Sequence, residues 1–472
     1  MAMNRTTIKS KVTGKVLITG HIRNMSPLIM GKGEGEIIDK EVVRGYGGVP
    51  YIPATAFIGV LKSHIRPNLT DEKERYFWGG EKDSDMQSHF IVDDLLPING
   101  ETPPKRVVRD GIRISPATGI VEDKKKFSYE VLEPDNRFTM RCEVILREPL
   151  TFNDFKDTIT DILSALKERT ISFGAMTMRG FGRVILEDDW KVYHFDFSKS
   201  EGPLWLEYMA TGTLPLNKTS VQLTLHPATQ ATDALEIEAL FNLKSSLIVG
   251  SYPSDPCMPD KVHITSGGQH VLPGTSVRGA IRSRAERIIN TLGGKSEELL
   301  KEVFGWVDDS PGWHTKRAIK SRVIVEETVL RNVEAEIQNR IKIDRFTGGT
   351  ADTALFDSMP VWRRQGVPQV VIKISMPEYS QEKRWIAGLL LQVLKDLWTG
   401  DLPIGGEKAI GRGVLQGVEA RITLGKTSHW TIEAQVDNSL KITGEKDKSE
   451  LEACAEALVA KCVAGTHGGE NE

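Results

Sequence analysis

A chain of 472 residues, 39% of them hydrophobic, is long enough for two or three domains that each bury a core. Its net charge of −3 excludes a protein that is basic all over, so any surface gripping nucleic acid has to be local, with acidic residues placed elsewhere. No apolar run approaches the ~20 residues of a membrane span, the start MAMNRTTIKSKV is too polar for a secretory signal, and Cys142, Cys257, Cys454 and Cys462 form no CxxC pair; a cytoplasmic protein with reduced thiols is expected, with no membrane, disulfide framework or zinc ribbon.

In chain order, the first element is an alternating strand in KVLITGHIRNMSPLIMG (15–31), which runs into a glycine-rich loop holding Asp39. A helix follows Pro53 in YIPATAFIGVLKSHI, an inserted segment spans 106–140, and apolar spacing predicts a second helix in DFKDTITDILSALKERT (154–170). The glycine loop FGAMTMRGFGRV (173–184) closes this half. The second half repeats the plan: LEIEALFNLKSSLIVG (235–250), a loop with Asp260, VLPGTSVRGAIRSRA (271–285), an insertion over 340–365, the helix of QEKRWIAGLLLQVLKDLWTG (381–400) and the glycine loop IGGEKAIGRGVL (404–415). Aligning Pro53 with Pro273 also pairs Thr55 with Thr275 and Gly59 with Gly279, so the chain reads as an internal repeat. The expected organisation is a first module over 1–190, a partly structured connector over 191–235, a second module over 236–425 and an extension over 426–472 whose helix caps the second module. Strand, loop, helix, insertion, helix, glycine loop and strand make an α+β fold.

Each half offers two phosphate-friendly surfaces. The glycine loops place Gly180 and Gly182 beside Arg179 and Arg183, and Gly405, Gly406, Gly411 and Gly413 beside Lys408 and Arg412. Without a Cβ in the way, backbone N–H groups can approach an anionic oxygen while the cations add charge. The second copy puts Ile410 where Arg179 sits and Arg412 where Phe181 sits. On the helix after the second proline, Arg278 and Arg282 share one face, Arg284 and Arg287 extend the charge, and Thr275 is placed to cap the helix, whose free N–H groups favour a phosphate. The matching residues of the first half are Ile58 and Lys62, so stronger backbone contact is expected from the second.

The motifs SPLIMGKGEGEIIDKEVVRGYGGVPYIPATAFIGVLKS, LPGTSVRGAIRSRAE, IKIDRFTGGTADTALFD and RGFGRV, ordered and recurring, resemble the RAMP superfamily and, within it, the backbone subunits of type III CRISPR effector complexes. The resemblance covers about residues 11–190 and 236–420. It implies two tandem ferredoxin-like (RRM-like) domains, each with an inserted thumb hairpin that lies across a guide–target duplex and splays a nucleotide. Phe346, Leu355, Phe356 and Met359 would give the second thumb its apolar wedge, and the stretch around Phe127 the first. The partners implied are a guide CRISPR RNA, a complementary single-stranded target RNA and other effector subunits. In RNA-cleaving backbone subunits the catalytic residue is an aspartate between the first strand and the helix; Asp39 and Asp260 hold that place, fourteen residues before Pro53 and thirteen before Pro273. Each would act as a Mg²⁺ ligand or as a general base, a choice the sequence leaves open, with Asp255 a rival in the second loop. His21 and His263 are near enough in sequence to be weighed as proton shuttles but are not expected to be catalytic. The competing readings are a non-catalytic scaffold and a guide-processing endoribonuclease with a histidine-based site. No GxGxxG after a strand, GxxxxGK[ST], HExxH or GxSxG is present to support a metabolic enzyme.

Overall fold

The computed structural model describes residues 11–31, 39–65, 71–80, 87–98, 102–115, 118–226, 233–253, 255–307, 318–437, 439–444 and 448–464. Two compact units emerge, one of 1–111, 127–177 and 181–229, the other of 112–126, 178–180 and 230–472.

The first unit is organised on β1 (Val12–Asn24), where Val16, Ile18 and Ile22 recur on one face and are buried. Helix α1 (Ala54–Ile65) follows, then β2 (Phe90–Val92), the ribbon strands β3 (Arg106–Ile114) and β4 (Val121–Leu132), β5 (Arg137–Arg147), α2 (Phe152–Lys167) and β6 (Val184–Leu186). β5 runs antiparallel to β1 from Val12↔Arg147 to Arg23↔Arg137, and the sheet order is β2-β5-β1-β6. With α1 and α2 as crossovers this is the ferredoxin-like arrangement, and β3–β4 is a ribbon inserted between β2 and β5. The insertion ends before Arg137, because 137–140 already belong to β5. α2 starts sharply where Asp154 accepts hydrogen bonds from the Thr151 N–H and hydroxyl, and it buries Phe155, Ile159, Leu163 and Leu166 at helical spacing.

The expected connector is part of this unit at its start. β7 (Lys191–Asp196) pairs with β1 from Gly14↔Asp196 to Thr19↔Lys191, continuing the edge that β6 begins. α3 (Gly202–Thr211) then covers the other sheet face, packing Trp205 and Tyr208 with Leu17, Tyr193 and Phe195. The Lys15 ammonium lies 4.4 Å from the Trp205 ring centroid. The short β6 and the polar turn after it hide one long edge strand, and for that reason the stretch reads as a linker in the sequence.

The second unit repeats the order. β8 (Leu235–Leu243), β9 (Lys261–His263), α4 (Gly274–Thr291), α5 (Ser296–Phe304), β10 (Ile324–Val325), the ribbon strands β11 (Gln338–Ile343) and β12 (Thr350–Met359), β13 (Val370–Met376), α6 (Arg384–Thr399) and β14 (Leu415–Leu424) come first. β15 (Ser428–Ala434) and β16 (Leu440–Gly444) then widen the sheet to β10-β13-β8-β14-β15-β16, whose first four strands keep the order of the first unit. The extension ends in α7 (Ser449–Ala464), which packs Cys454, Leu458 and Cys462 on the core. All four cysteines are free thiols, and burial pushes the Cys142 thiol up.

Glycine makes the α6–α7 contact possible: a Cβ on Gly388 would come within 2.0 Å of the Cys454 carbonyl oxygen, which is backbone and cannot swing away. Gly388→Ala is expected to destabilise the second unit by about 1–3 kcal/mol through forced separation of the helices, read as a lower urea midpoint at unchanged slope. An unchanged midpoint would mean that α7 is not held in this way.

Candidate nucleic-acid interface

The two loop aspartates occupy equivalent places. Asp39 is exposed, and its Oδ2 accepts the Ser128 N–H at 2.6 Å and the Ser128 hydroxyl at 3.3 Å. The next residue, Lys40, makes a parallel bridge with Tyr129 on β4 and its carbonyl accepts the Glu130 N–H at 2.9 Å. Asp260 is also exposed, and its N–H donates to Asp357 Oδ1 at 2.7 Å, next to the parallel pair Lys261↔Ser358 on β12. Each module thus brings its loop aspartate to the root of its own ribbon. This pairing of the loop with the far strand of an insertion is a contact of long sequence separation that no local pattern announces.

The loops are stitched down further along. Glu130, buried, accepts the Val42 N–H at 3.1 Å and both oxygens meet the Arg44 guanidinium at 2.9 and 2.8 Å, with Arg106 at 3.1 Å. Burial opposes its ionisation, but Arg44, the Val42 N–H and Arg106 outweigh that and hold its carboxyl below the ordinary glutamate range. In the second module Glu407 takes this part, with Lys261 at 3.3 Å, Arg340 at 3.0 Å and Arg412 at 2.9 Å.

The glycine loops differ from expectation. Gly182 and Gly413 have φ of 77° and 74°, and a Cβ on either would fall 1.8 Å from the Phe173 or Ile404 carbonyl oxygen. Their N–H groups are committed internally, Gly182 to Pro27 O at 2.8 Å and Gly413 to Ser246 O at 2.7 Å, while Gly411 N–H donates to Lys408 O at 3.0 Å. Gly180 is buried. The loops therefore lock the end of each module onto its SPLIM or SSLIV segment, and what they leave to solvent is charge: Lys408 is exposed and Arg179 half-buried. Phe181 is fully buried among Ile29, Tyr129 and Val131, an apolar root for the first ribbon. Arg412, its counterpart, is 2% exposed and bonds Gln338 on β11 and Ser246, so it forms an ionic root for the second ribbon and has no free face for a phosphate.

The helix after Pro273 also corrects two expectations. Pro273 is the residue before the first turn and Thr275 lies inside it, so Thr275 does not cap α4. Arg278 turns inward, donating to Val323 O at 2.6 Å, Phe304 O at 2.8 Å and Ser321 Oγ at 2.9 Å, and burial pushes its pKa down to about 10. Arg284 pairs with Asp396 on α6. Arg282 and Arg287 are exposed, and Lys62 is half-buried in the last turn of α1.

The second ribbon carries Phe346 fully exposed at its turn, with Leu355 and Phe356 exposed along β12; Asp344 Oδ1 stiffens the turn by accepting the Phe346 and Thr347 N–H groups at 2.8 and 2.9 Å. Met359 is half-buried at the root. The first ribbon exposes Ile112, Ile114 and Ile120, whereas Phe127 packs against Gly111, where a Cβ would clash at 2.2 Å, and is no tip residue.

The donors fit a Mg²⁺ at the aspartates, since that ion keeps several waters and takes one or two carboxylates with phosphate oxygens; the exposed carboxylates of Asp39 and Asp260 can supply the protein's share. Among the described residues the set of three donors within reach of one another is His21, Glu187 and Asp189. Glu187 there already faces Arg137 at 2.5 Å and Arg23 at 3.5 Å, and the His21 Nδ1 is bonded to Asp189, so existing partners balance the carboxylates. His263 is buried, its Nε2–H donating to Val271 O at 2.9 Å and its Nδ1 accepting the Val249 N–H at 3.2 Å.

Burial pushes the His263 pKa down to about 4, against an ordinary histidine value of 6.5. A depressed histidine pKa means that the unfolded chain binds the proton first. Stability from this group is fully present above pH 6.5 and is lost as pH falls toward 4, by about 1.4 kcal/mol per unit. The unfolding free energy of the wild type should decline over that window more steeply than that of His263→Gln, a comparison that chemical denaturation at stepped pH makes directly.

A family model described as RAMP superfamily matches residues 21–185 and 240–416. No curated protein matches the chain. Among the described residues no helix is long and apolar enough to cross a membrane.

Proposed function

Because the chain belongs to the RAMP superfamily, a family of CRISPR-associated RNA-binding subunits, we propose that its two modules are fused backbone units of a type III effector complex, which hold the guide RNA and cut complementary target RNA beside Asp39 and Asp260. The observation that carries this reading is the repeated geometry: in both modules an exposed aspartate stands at the root of a ribbon that exposes apolar side chains, Ile112, Ile114 and Ile120 in the first and Phe346, Leu355 and Phe356 in the second.

The chemistry follows from that placement. Cleavage needs the 2′-oxygen brought in line with phosphorus, its proton removed and the charge on the phosphoryl oxygens balanced. An apolar ribbon laid on a duplex can wedge a base out of the stack and turn the sugar toward that alignment, and Phe346, Leu355 and Phe356 have the exposure for it. The carboxylate at the ribbon root then meets the splayed linkage, while Arg282 and Lys408 offer exposed charge to the RNA backbone. A Mg²⁺ held at Asp39 or Asp260 would supply the remaining charge neutralisation. A histidine-based guide-processing site finds little support, since His263 is buried with both ring nitrogens engaged and His21 is bonded to Asp189. The test is cleavage of labelled complementary RNA by the assembled complex with Mg²⁺. Loss of a defined product with each aspartate supports the reading, and wild-type cutting by the double variant makes the chain a scaffold.

A further inference from the structure

The two aspartates are held to their ribbons with opposite polarity, and this separates the modules chemically. In the first module the carboxylate itself is the acceptor, and its principal donor is a backbone N–H, that of Ser128. In the second module the backbone of Asp260 is the donor, and the acceptor is a side chain, Asp357 Oδ1 at 2.7 Å; the return contact from the Asp357 N–H to Asp260 Oδ2 is long, at 3.5 Å. The register makes the two positions equivalent: Ser128 precedes Tyr129, which bridges Lys40, and Asp357 precedes Ser358, which bridges Lys261.

Resting on the catalytic reading of Asp260, we propose that Asp357 is the positioning residue of the second module: its carboxylate grips the Asp260 N–H and so ties the reactive loop to the wedge strand. Leu355 and Phe356, which are exposed on that strand, precede it directly. A base pair resting on the ribbon thereby bears on the segment that fixes the Asp260 backbone. The Asp260 carboxylate is left largely free for the RNA, because the strong bond uses its N–H. In the first module no substitution at Ser128 other than proline cuts the corresponding tie, since the Ser128 N–H remains with any other residue; the hydroxyl adds only the longer contact of 3.3 Å.

The experiment uses the assembled complex with two readouts, single-turnover formation of the second-module product at saturating target and hydrogen exchange of the peptide containing Asp260. Asp357→Ala is expected to speed exchange about tenfold or more and to slow that product about 10²-fold, with target affinity unchanged. Asp357→Asn keeps an oxygen acceptor and should restore both. Asp260→Ala should lose the product but keep the protection, because the bond is made by its backbone. If Asp357→Asn loses the product as completely as Asp260→Ala while exchange stays slow, Asp357 touches the reacting groups and the positioning role is overturned. Wild-type exchange and cutting in Asp357→Ala overturn it as well. If Asp260→Ala cuts normally, the catalytic reading fails, and the exchange data alone still decide whether Asp357 holds the loop.

Discussion

Asp39→Ala and Asp260→Ala are each expected to abolish one set of cleavage products, by about 10²–10⁴-fold in rate, the range a positioned acid or base contributes. The loss should be local to the module changed, because each aspartate is tied to the ribbon of its own module, Asp39 to β4 and Asp260 to β12. Stability should barely change. Both residues are exposed, and removing the Asp39 carboxylate frees a backbone N–H at the surface, where water replaces it. Guide binding is expected to survive, since the exposed cations are untouched. Denaturing gels of end-labelled target, run beside native gels of the complex, separate the two effects. If both single variants lose all products, the sites act on one linkage in turn and the module-by-module account is wrong. If the double variant still cuts, the chemistry belongs to another subunit.

The repeat was the most legible feature of the sequence, because a fold built twice prints its punctuation twice. Pro, Thr and Gly recur at one offset, and strand order, helices and ribbon insertions follow that plan in both units. Asp39 and Asp260 stand one residue off that offset, and it was the family resemblance that singled them out. What the sequence hid were partners supplied from afar. Ser128 and Asp357 lie 89 and 97 residues from their aspartates, and the Glu130 cluster draws cations from two segments and the Glu407 cluster from three. The one local cue was a lysine after each aspartate, where each loop turns into its parallel pairing with the ribbon.

Charge was the least legible quantity. A basic residue in a loop or on a helix looks the same in sequence whether it faces water or a carbonyl. Arg412 sits where the first module has a buried phenylalanine, and it stays inside by swapping that apolar contact for Glu407, Gln338 and Ser246. The glycine loops misled in a related way. Gly182 and Gly413 adopt positive φ, and what this allows is close backbone approach, with N–H groups donating to Pro27 and Ser246 carbonyls rather than to an anion.

Arg278 and Arg282 turn that difference into an expected result. Both lie over the Phe304 ring, at 5.2 and 6.0 Å from its centroid, and they are four residues apart on α4. Arg278 reaches the Val323 and Phe304 carbonyls and the Ser321 hydroxyl, so it bridges α4, the end of α5 and the segment entering β10. Arg278→Ala would leave two carbonyls without their charged donor and an opening beside Phe304, and is expected to destabilise the second unit by about 3 kcal/mol or more. Arg278→Lys should recover little, since one ammonium cannot span the fork of acceptors. Arg282→Ala should leave the denaturation midpoint within about 0.5 kcal/mol of wild type, because that side chain faces solvent. Its effect belongs to RNA: weaker guide binding, and a salt slope shallower by about one phosphate contact. The contrast is decided by two titrations on the same pair of variants, urea unfolding and RNA affinity from low to high salt. Should Arg278→Ala fold as well as wild type and lose the salt slope instead, then the inward geometry of Arg278 is not what the folded protein uses, and α4 presents both arginines to the RNA.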